Sequence, residues 1–293
     1  MKKIILTMGI SLLVVILVAC GGSDSTDGET SSKLQQLQEK GSVKIGFANE
    51  VPYAYEQGGE IKGANVDIAK EVFKELGIGN VDAQLSDFGQ LIPGVQAGQF
   101  DVITAGMAIN ADRCERVLFS EPEMKYGEGL IVASGNPHNI QSYKDIAANP
   151  ELKVVVMEGT TEIAFLQQEG VSPDQIVTAP DIPATFSSIQ AGRADATTGT
   201  EMTVKMALES AGTDELEFVE TFEQPEVEGV PSYGAAAFNL DDEDLRTAYN
   251  EKLKELKENG TIAQILEDNG FSEISNMVEV EEITTEQICG GQS

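Results

Sequence analysis

The sequence predicts an α/β protein of two lobes, each a mostly parallel sheet flanked by helices, joined by two crossing strands. Three observations carry this. Apolar runs of strand length alternate with segments of helical period along most of the 293 residues. The rhythm breaks once, where "GLIVASGNPHNI" runs into Gly135-Asn136-Pro137, and a second βα series then begins. After the Pro- and Gly-bearing connection "EQPEVEGVPSYG", the apolar run "AAAFNL" returns and helical segments follow it. The expected boundaries are 42–133 plus 235–293 for lobe 1 and 134–234 for lobe 2, with a single doubly wound sheet as the alternative.

The chain opens with Lys2 and Lys3 and an apolar run from Ile4 to Ala19, the pattern of a secretion signal, so residues 1–19 are read as a signal peptide. The run is shorter than the roughly 20 apolar residues of a bilayer span. Residues 20–41 begin at Cys20 and are rich in Gly, Ser, Thr, Asp and Glu, which reads as a flexible tether.

"VKIGF" is the first strand, followed by a helix in which Ala69, Val72, Phe73 and Leu76 recur at three and four residues. "VDAQL", a helix through Leu91, Ile92 and Val95, and "DVITA" complete βαβαβ, hence a parallel sheet. A strand from Leu130 to Ala133 precedes the break. The second series contains "KVVVM", a helix after Gly159-Thr160-Thr161, "QIVTA", a helix from Pro183 to Ala191, "DATTG", a helix from Met202 to Ser210, and "LEFVET". Two helices, Asp242 to Glu258 and Thr261 to Asn269, are expected to close the chain, with Gly260 as the stop between them.

The formal net charge is −30, and removing the two leader lysines takes it to −32, with no basic block to oppose it. Nucleic acid is excluded as a partner. Such acidity suits strongly saline or alkaline surroundings, although many secreted proteins are acidic. With Cys20 set aside, Cys114 and Cys289 remain; in an exported chain this even remainder suggests one disulfide, with two buried free thiols as the alternative.

Ordinary catalysis has little to work with. His138 is the only histidine and stands in a turn without partners at metal spacing. There is no GxGxxG, P-loop or G-x-S-x-G motif, so neither a cofactor, a metal nor an enzymatic reaction is expected. Binding is better supplied, because ligands of open α/β sheets sit beyond the carboxyl ends of the strands. Those positions hold Glu50 and Tyr53, Asp87 and Phe88, the segment from Gly106 to Arg113, Thr160 and Thr161, and Thr200. Arg113 suits a bidentate grip on a carboxylate, a surface ion pair being the plainer alternative. Thr160 and Thr161 at a helix start offer hydroxyls and backbone N–H groups, or simple capping. Tyr53 and Phe88 suit stacking on a delocalised cation that Glu50 neutralises.

The segments "GEIKGANVDIAKEV", "LIPGVQAGQFDVITAGMAI", "ADRCERVLFSEP", "SYKDIA", "AGRADA" and "KLKELKENGTIAQILEDNG" resemble the periplasmic or lipid-anchored solute-binding proteins of ABC importers, in the branch serving polar amino acids. They span Val43 to about Phe271. The resemblance implies the type II periplasmic-binding-protein fold, a monomer without catalytic activity, and a permease as partner. "LVAC" at Leu17 to Cys20 resembles a lipobox, which implies lipidation of Cys20 and a place on the outer face of the cell membrane.

Within the family, "ANEVPYAY", "AGMAINADRCERV" and "GTEMTVKMAL" look closest to receptors for ectoine and hydroxyectoine, zwitterionic compatible solutes with a cyclic amidinium and a carboxylate. Amino-acid receptors usually carry an aspartate for the α-ammonium where Thr200 stands, and Ser or Thr where Ala108 and Asn110 stand. The resemblance therefore implies that Glu50, Tyr53 and Phe88 surround the cationic ring while Arg113 holds the carboxylate. Ala108 stands where such receptors tend to supply a further aromatic, which implies a cage that is incomplete, weaker or tuned to a different compatible solute. The alternatives are a receptor for a polar amino acid or betaine-like solute and a secreted dehydratase on the same fold.

Overall fold

The structure is a computed structural model, and it describes residues 31–291. The expected signal peptide and Cys20 lie outside the described residues.

The chain folds before the expected start. Helix α1 (Lys33–Lys40) follows Ser32, whose hydroxyl and the Gln35 side chain close a reciprocal capping box. Leu37 is buried, Lys33 pairs with Asp101 at 2.7 Å, and the Leu34 N–H donates to Asp244 at 2.9 Å. The tether reading of residues 20–41 is thus corrected for 33–40. A segment with so few apolar residues holds a helix because its caps are satisfied and one leucine reaches the core.

The first sheet contains β1 (Ser42–Phe47), preceded by Gly41 in the left-handed region. A two-stranded ribbon, β2 (Tyr55–Gln57) and β3 (Glu60–Lys62), leads into α2 (Ala64–Glu75), whose Val66, Ile68, Ala69, Val72 and Phe73 are buried. Then come β4 (Asn80–Leu85), a single 3₁₀ turn at Phe88–Gln90, α3 (Leu91–Gln96) and β5 (Val102–Ala108). One-turn α4 (Ala111–Cys114), β6 (Leu118–Phe119) and β7 (Met124–Tyr126) follow.

The second sheet takes β8 (Glu128–Ala133), then α5 (Tyr143–Ala148), β9 (Val154–Met157), α6 (Glu162–Gln168) and β10 (Ile176–Ala179). It continues through α7 (Ile182–Gln190), β11 (Ala196–Thr200), α8 (Glu201–Ala211) and β12 (Leu216–Phe218). The chain returns to the first sheet as β13 (Ser232–Phe238) and finishes with α9 (Glu243–Glu258), α10 (Thr261–Asp268), α11 (Glu273–Asn276) and α12 (Thr285–Cys289). The last two helices extend the chain past the pair expected to close it.

The sheet orders are β4-β1-β5-β13-β6, with β7 also on β13, and β10-β9-β11-β8-β12. In the first, β4, β1 and β5 run parallel while β13 is antiparallel to its neighbours; in the second, β10, β9 and β11 run parallel and β8 is antiparallel. Two sheets replace the single-sheet alternative.

The crossing points differ from expectation. Strand β8, assigned to lobe 1 through residue 133, pairs with β11 and β12 of the second sheet, so the chain crosses between Tyr126 and Glu128. On return, Ser232 already pairs with Tyr126. Gly135-Asn136-Pro137 is only the turn after β8. The crossing carries no turn chemistry because the chain passes straight from one sheet to the other through Gly127. A Cβ there would lie 2.7 Å from the Gln224 side chain. Gln224, on the returning connection, holds both the N–H and the carbonyl of Glu128 at 2.8 Å, which ties the two crossings together.

Candidate functional site

The strand ends of both sheets converge on one cleft. After β1, Tyr53 and Ala54 donate their N–H groups to the Glu50 carbonyl at 2.9 and 3.0 Å, and Glu50 donates its own to Ala54 at 2.9 Å. This tight turn puts the Glu50 and Tyr53 side chains on the same wall. Tyr53 packs edge-on against Tyr126 and Phe271, with ring centres 5.6 and 5.1 Å away. Gly106 lets β5 pass behind that ring: its φ is +57°, and a Cβ would stand 2.6 Å from Tyr53 Cδ1. The Tyr126 hydroxyl donates to the Gly106 carbonyl.

Arg113 sits on α4, where the Asn110 side chain caps its N–H at 2.9 Å. Its guanidinium is buried, donates from Nη1 to the Ala108 carbonyl at 2.7 Å and from Nη2 to the Gly159 carbonyl at 2.9 Å, and so bridges the two lobes. It also lies over the Phe88 ring, 5.5 Å from its centre. Burial lowers its pKa, but a guanidinium stays charged. Two of its five N–H groups are engaged with carbonyls, which leaves donors for an anion.

The carboxyl groups are the less expected part. Glu50 keeps some exposed surface, yet its Oε1 is sealed from solvent without a hydrogen-bond partner, and Thr203 of α8 donates to its Oε2 at a long 3.5 Å. Burial first, then the proximity of Glu162, pushes its pKa up to about 8. Glu162 and Glu128 are both buried; burial, followed by the proximity of Glu162, raises the pKa of Glu128. The buried Tyr53 hydroxyl also has no partner.

All eight residues expected to bind a ligand, Glu50, Tyr53, Phe88, Gly106, Arg113, Thr160, Thr161 and Thr200, line this single cleft. Their arrangement differs in detail from the expectation. Phe88, expected to stack on a ligand cation, lies under the Arg113 guanidinium. The Thr160 hydroxyl donates to the Met157 carbonyl at 2.9 Å, and Thr161 and Thr200 precede α6 and α8 without capping them through their side chains.

Tyr126, Glu162 and Thr203 also line the cleft and were not expected there. Tyr126 adds a third ring although Ala108 offers none. The signals were weak: Glu162 reads as an ordinary acidic residue in a first turn, and Tyr126 lies in the crossing segment assigned to lobe 1. Cys114, beside Arg113, forms a disulfide with Cys289, Cα atoms 5.9 Å apart, which ties α12 to α4.

A site with one guanidinium, three aromatic rings and carboxyl groups from both lobes can hold a small molecule that carries both signs of charge. Among the described residues no group of three or more His, Cys, Asp or Glu could hold a metal ion, and no helix is long and apolar enough to cross a membrane.

Residues 43–271 match the profile described as bacterial extracellular solute-binding proteins, family 3. A probable amino-acid ABC transporter periplasmic-binding protein, y4tE of Sinorhizobium fredii, is 36% identical over 261 residues, covering 87% of this chain and 85% of that protein. The arginine-binding extracellular protein ArtP of Bacillus subtilis is 27% identical over 270 residues, covering 90% and 96%. Among solved structures, EhuB in complex with hydroxyectoine superposes with a TM-score of 0.79 at 35% identity, covering 88% of this chain and 97% of that one. An ancestral arginine-binding protein bound to arginine gives 0.67 at 26% identity, covering 78% and 98%.

Proposed function

Since the chain belongs to the bacterial extracellular solute-binding proteins of family 3, and is thereby an ABC-importer receptor of type II fold rather than an enzyme, we propose that its solute is ectoine or hydroxyectoine. The observation that carries this is the composition of the cleft. Arg113, Glu50, Tyr53 and Tyr126 line the one cleft, with no second cation among the lining residues.

The guanidinium takes the solute's carboxylate. The flat amidinium ring lies against the aromatic side chains, each worth about 1–2 kcal/mol once water is excluded, and donates to Glu50. Thr160, Thr161 and Thr200 supply the polar remainder of the wall, and Gly106 the close backbone approach. Thr200 offers a hydroxyl where an α-ammonium would need a carboxylate, which weighs against a polar amino acid. The similarity to a protein solved with hydroxyectoine supports the same reading.

The receptor acts as a monomer held outside the cell membrane by lipid on Cys20. It closes its lobes about the crossing segments on binding and presents the solute to the permease. The test is a thermal-shift screen, followed by calorimetry, over ectoine, hydroxyectoine, glycine betaine, proline, glutamine and arginine. The two ectoines should give the largest shifts. A dominant shift with arginine or glutamine, and none with the ectoines, would replace this reading by a polar amino acid receptor.

A further inference from the structure

Glu162 opens α6, is 4% exposed and lines the cleft, and its Oε2 has no hydrogen-bond partner. Beside it stands Glu128, the first residue of β8, 1% exposed, close enough to Glu162 for the two carboxyl groups to repel, and likewise with an unpartnered Oε2. It is held firmly, since Gln224 grips the Glu128 backbone on both sides. Glu50 arrives from the opposite lobe with its own unpartnered oxygen. The titratable groups facing Glu162 are Glu50, Glu128, Arg113, Tyr126 and Tyr143. Arg113 is the sole cation among them, and it already donates to two backbone carbonyls.

We propose that Glu162, backed by Glu128, is a ligand-contacting residue that sets specificity: it supplies the second wall of the cation half from the other lobe. Closure is then favourable only on a guest whose positive charge lies between Glu50 and Glu162. This rests on the zwitterion reading above. Without a cation, closure brings acidic groups of the two lobes together in a dry site, where they must take up a proton or repel. A ring of similar size with a carboxylate but no positive charge engages Arg113 and leaves both walls unpaired, so the site rejects it by the cost of buried, unsatisfied carboxyl groups as much as by missing attraction. A delocalised cation satisfies both walls at once.

The test is calorimetry on the wild type, Glu162→Gln and Glu128→Gln with ectoine, hydroxyectoine and pyroglutamate, a cyclic carboxylate lacking positive charge. Glu162→Gln should weaken both ectoines roughly 30-fold or more, and narrow the gap to pyroglutamate. Glu128→Gln should change them by roughly 5-fold through the altered charge of its neighbour. A cooperative melt with an unlowered midpoint shows that a variant is folded. Ectoine affinities within about threefold of wild type in Glu162→Gln, with the pyroglutamate gap unchanged, would overturn the assignment while leaving the zwitterion reading intact. If Glu162→Gln does not fold, unchanged values for all three solutes in Glu128→Gln overturn it instead. If the wild type binds neither ectoine, the zwitterion reading fails and this assignment falls with it.

Discussion

Replacing Glu50 by glutamine should abolish a pH dependence that the wild type shows. In the unliganded cleft the Glu50 carboxyl titrates at about 8, because burial and then Glu162 disfavour its charge. A cation set against it reverses that balance, so the ligand binds the ionised form and displaces the proton. With a pKa of about 8, roughly nine-tenths of the molecules are protonated at pH 7, and binding there should release close to one proton. Affinity for ectoine should then fall about tenfold from its alkaline plateau at pH 7 and about a hundredfold at pH 6. Calorimetry in phosphate and in Tris, whose ionisation enthalpies differ, reads the proton count directly. In Glu50→Gln the affinity should be lower throughout and the proton release lost. Stability of the free protein runs the other way. The raised carboxyl contributes fully below the ordinary range near 4.5 and loses that contribution as pH rises through 8, because the unfolded chain ionises it freely. Glu123, raised by burial to about 7, adds a second slope of the same sign that Glu50→Gln leaves in place. A wild-type affinity that is flat from pH 6 to 9, with no proton released, would refute the placement of Glu50 against a cation.

Arg113→Ala should reduce solute affinity by at least about 2–5 kcal/mol, below detection in ordinary calorimetry. Because the guanidinium also holds the Gly159 carbonyl, small-angle scattering should show weaker compaction at saturating solute. Gly106→Ala must place a Cβ 2.6 Å from Tyr53 at positive φ, and should cost about 1–3 kcal/mol in both urea stability and binding. Reducing the Cys114–Cys289 bridge frees a loop with a sequence separation of 175, and chain entropy puts the loss of unfolding free energy at about 5 kcal/mol or less. Chemical denaturation with and without reductant measures it. Cys20→Ser should release the protein from the membrane fraction into the medium, checked by fractionation and lipid labelling.

The order of elements and the strand-end positions were legible in the sequence, because periodicity, caps and turn residues act over a few neighbours. Glu50 and Tyr53 share one five-residue turn, and Arg113 follows β5 by five residues, so strand-end reasoning reaches them. Helix α1 was missed for want of an apolar stripe, although Ser32 and Gln35 spell a capping box. The crossing at Gly127 was misplaced because a strand that changes sheets without a turn leaves no local mark.

By itself the sequence determined the α/β class, the two βα series, the acidic character and the groups offered at the strand ends, since each follows from local pattern or from composition. Only the tertiary structure decided that Glu162 faces Glu50 and leans on Glu128, that Tyr126 supplies a third ring, and that Arg113 reaches across to Gly159. Those meetings join residues dozens of positions apart, some of them on opposite lobes. What sets them is the path of two crossing segments and the packing of the closed cleft, and neither is written in the neighbours of any one residue.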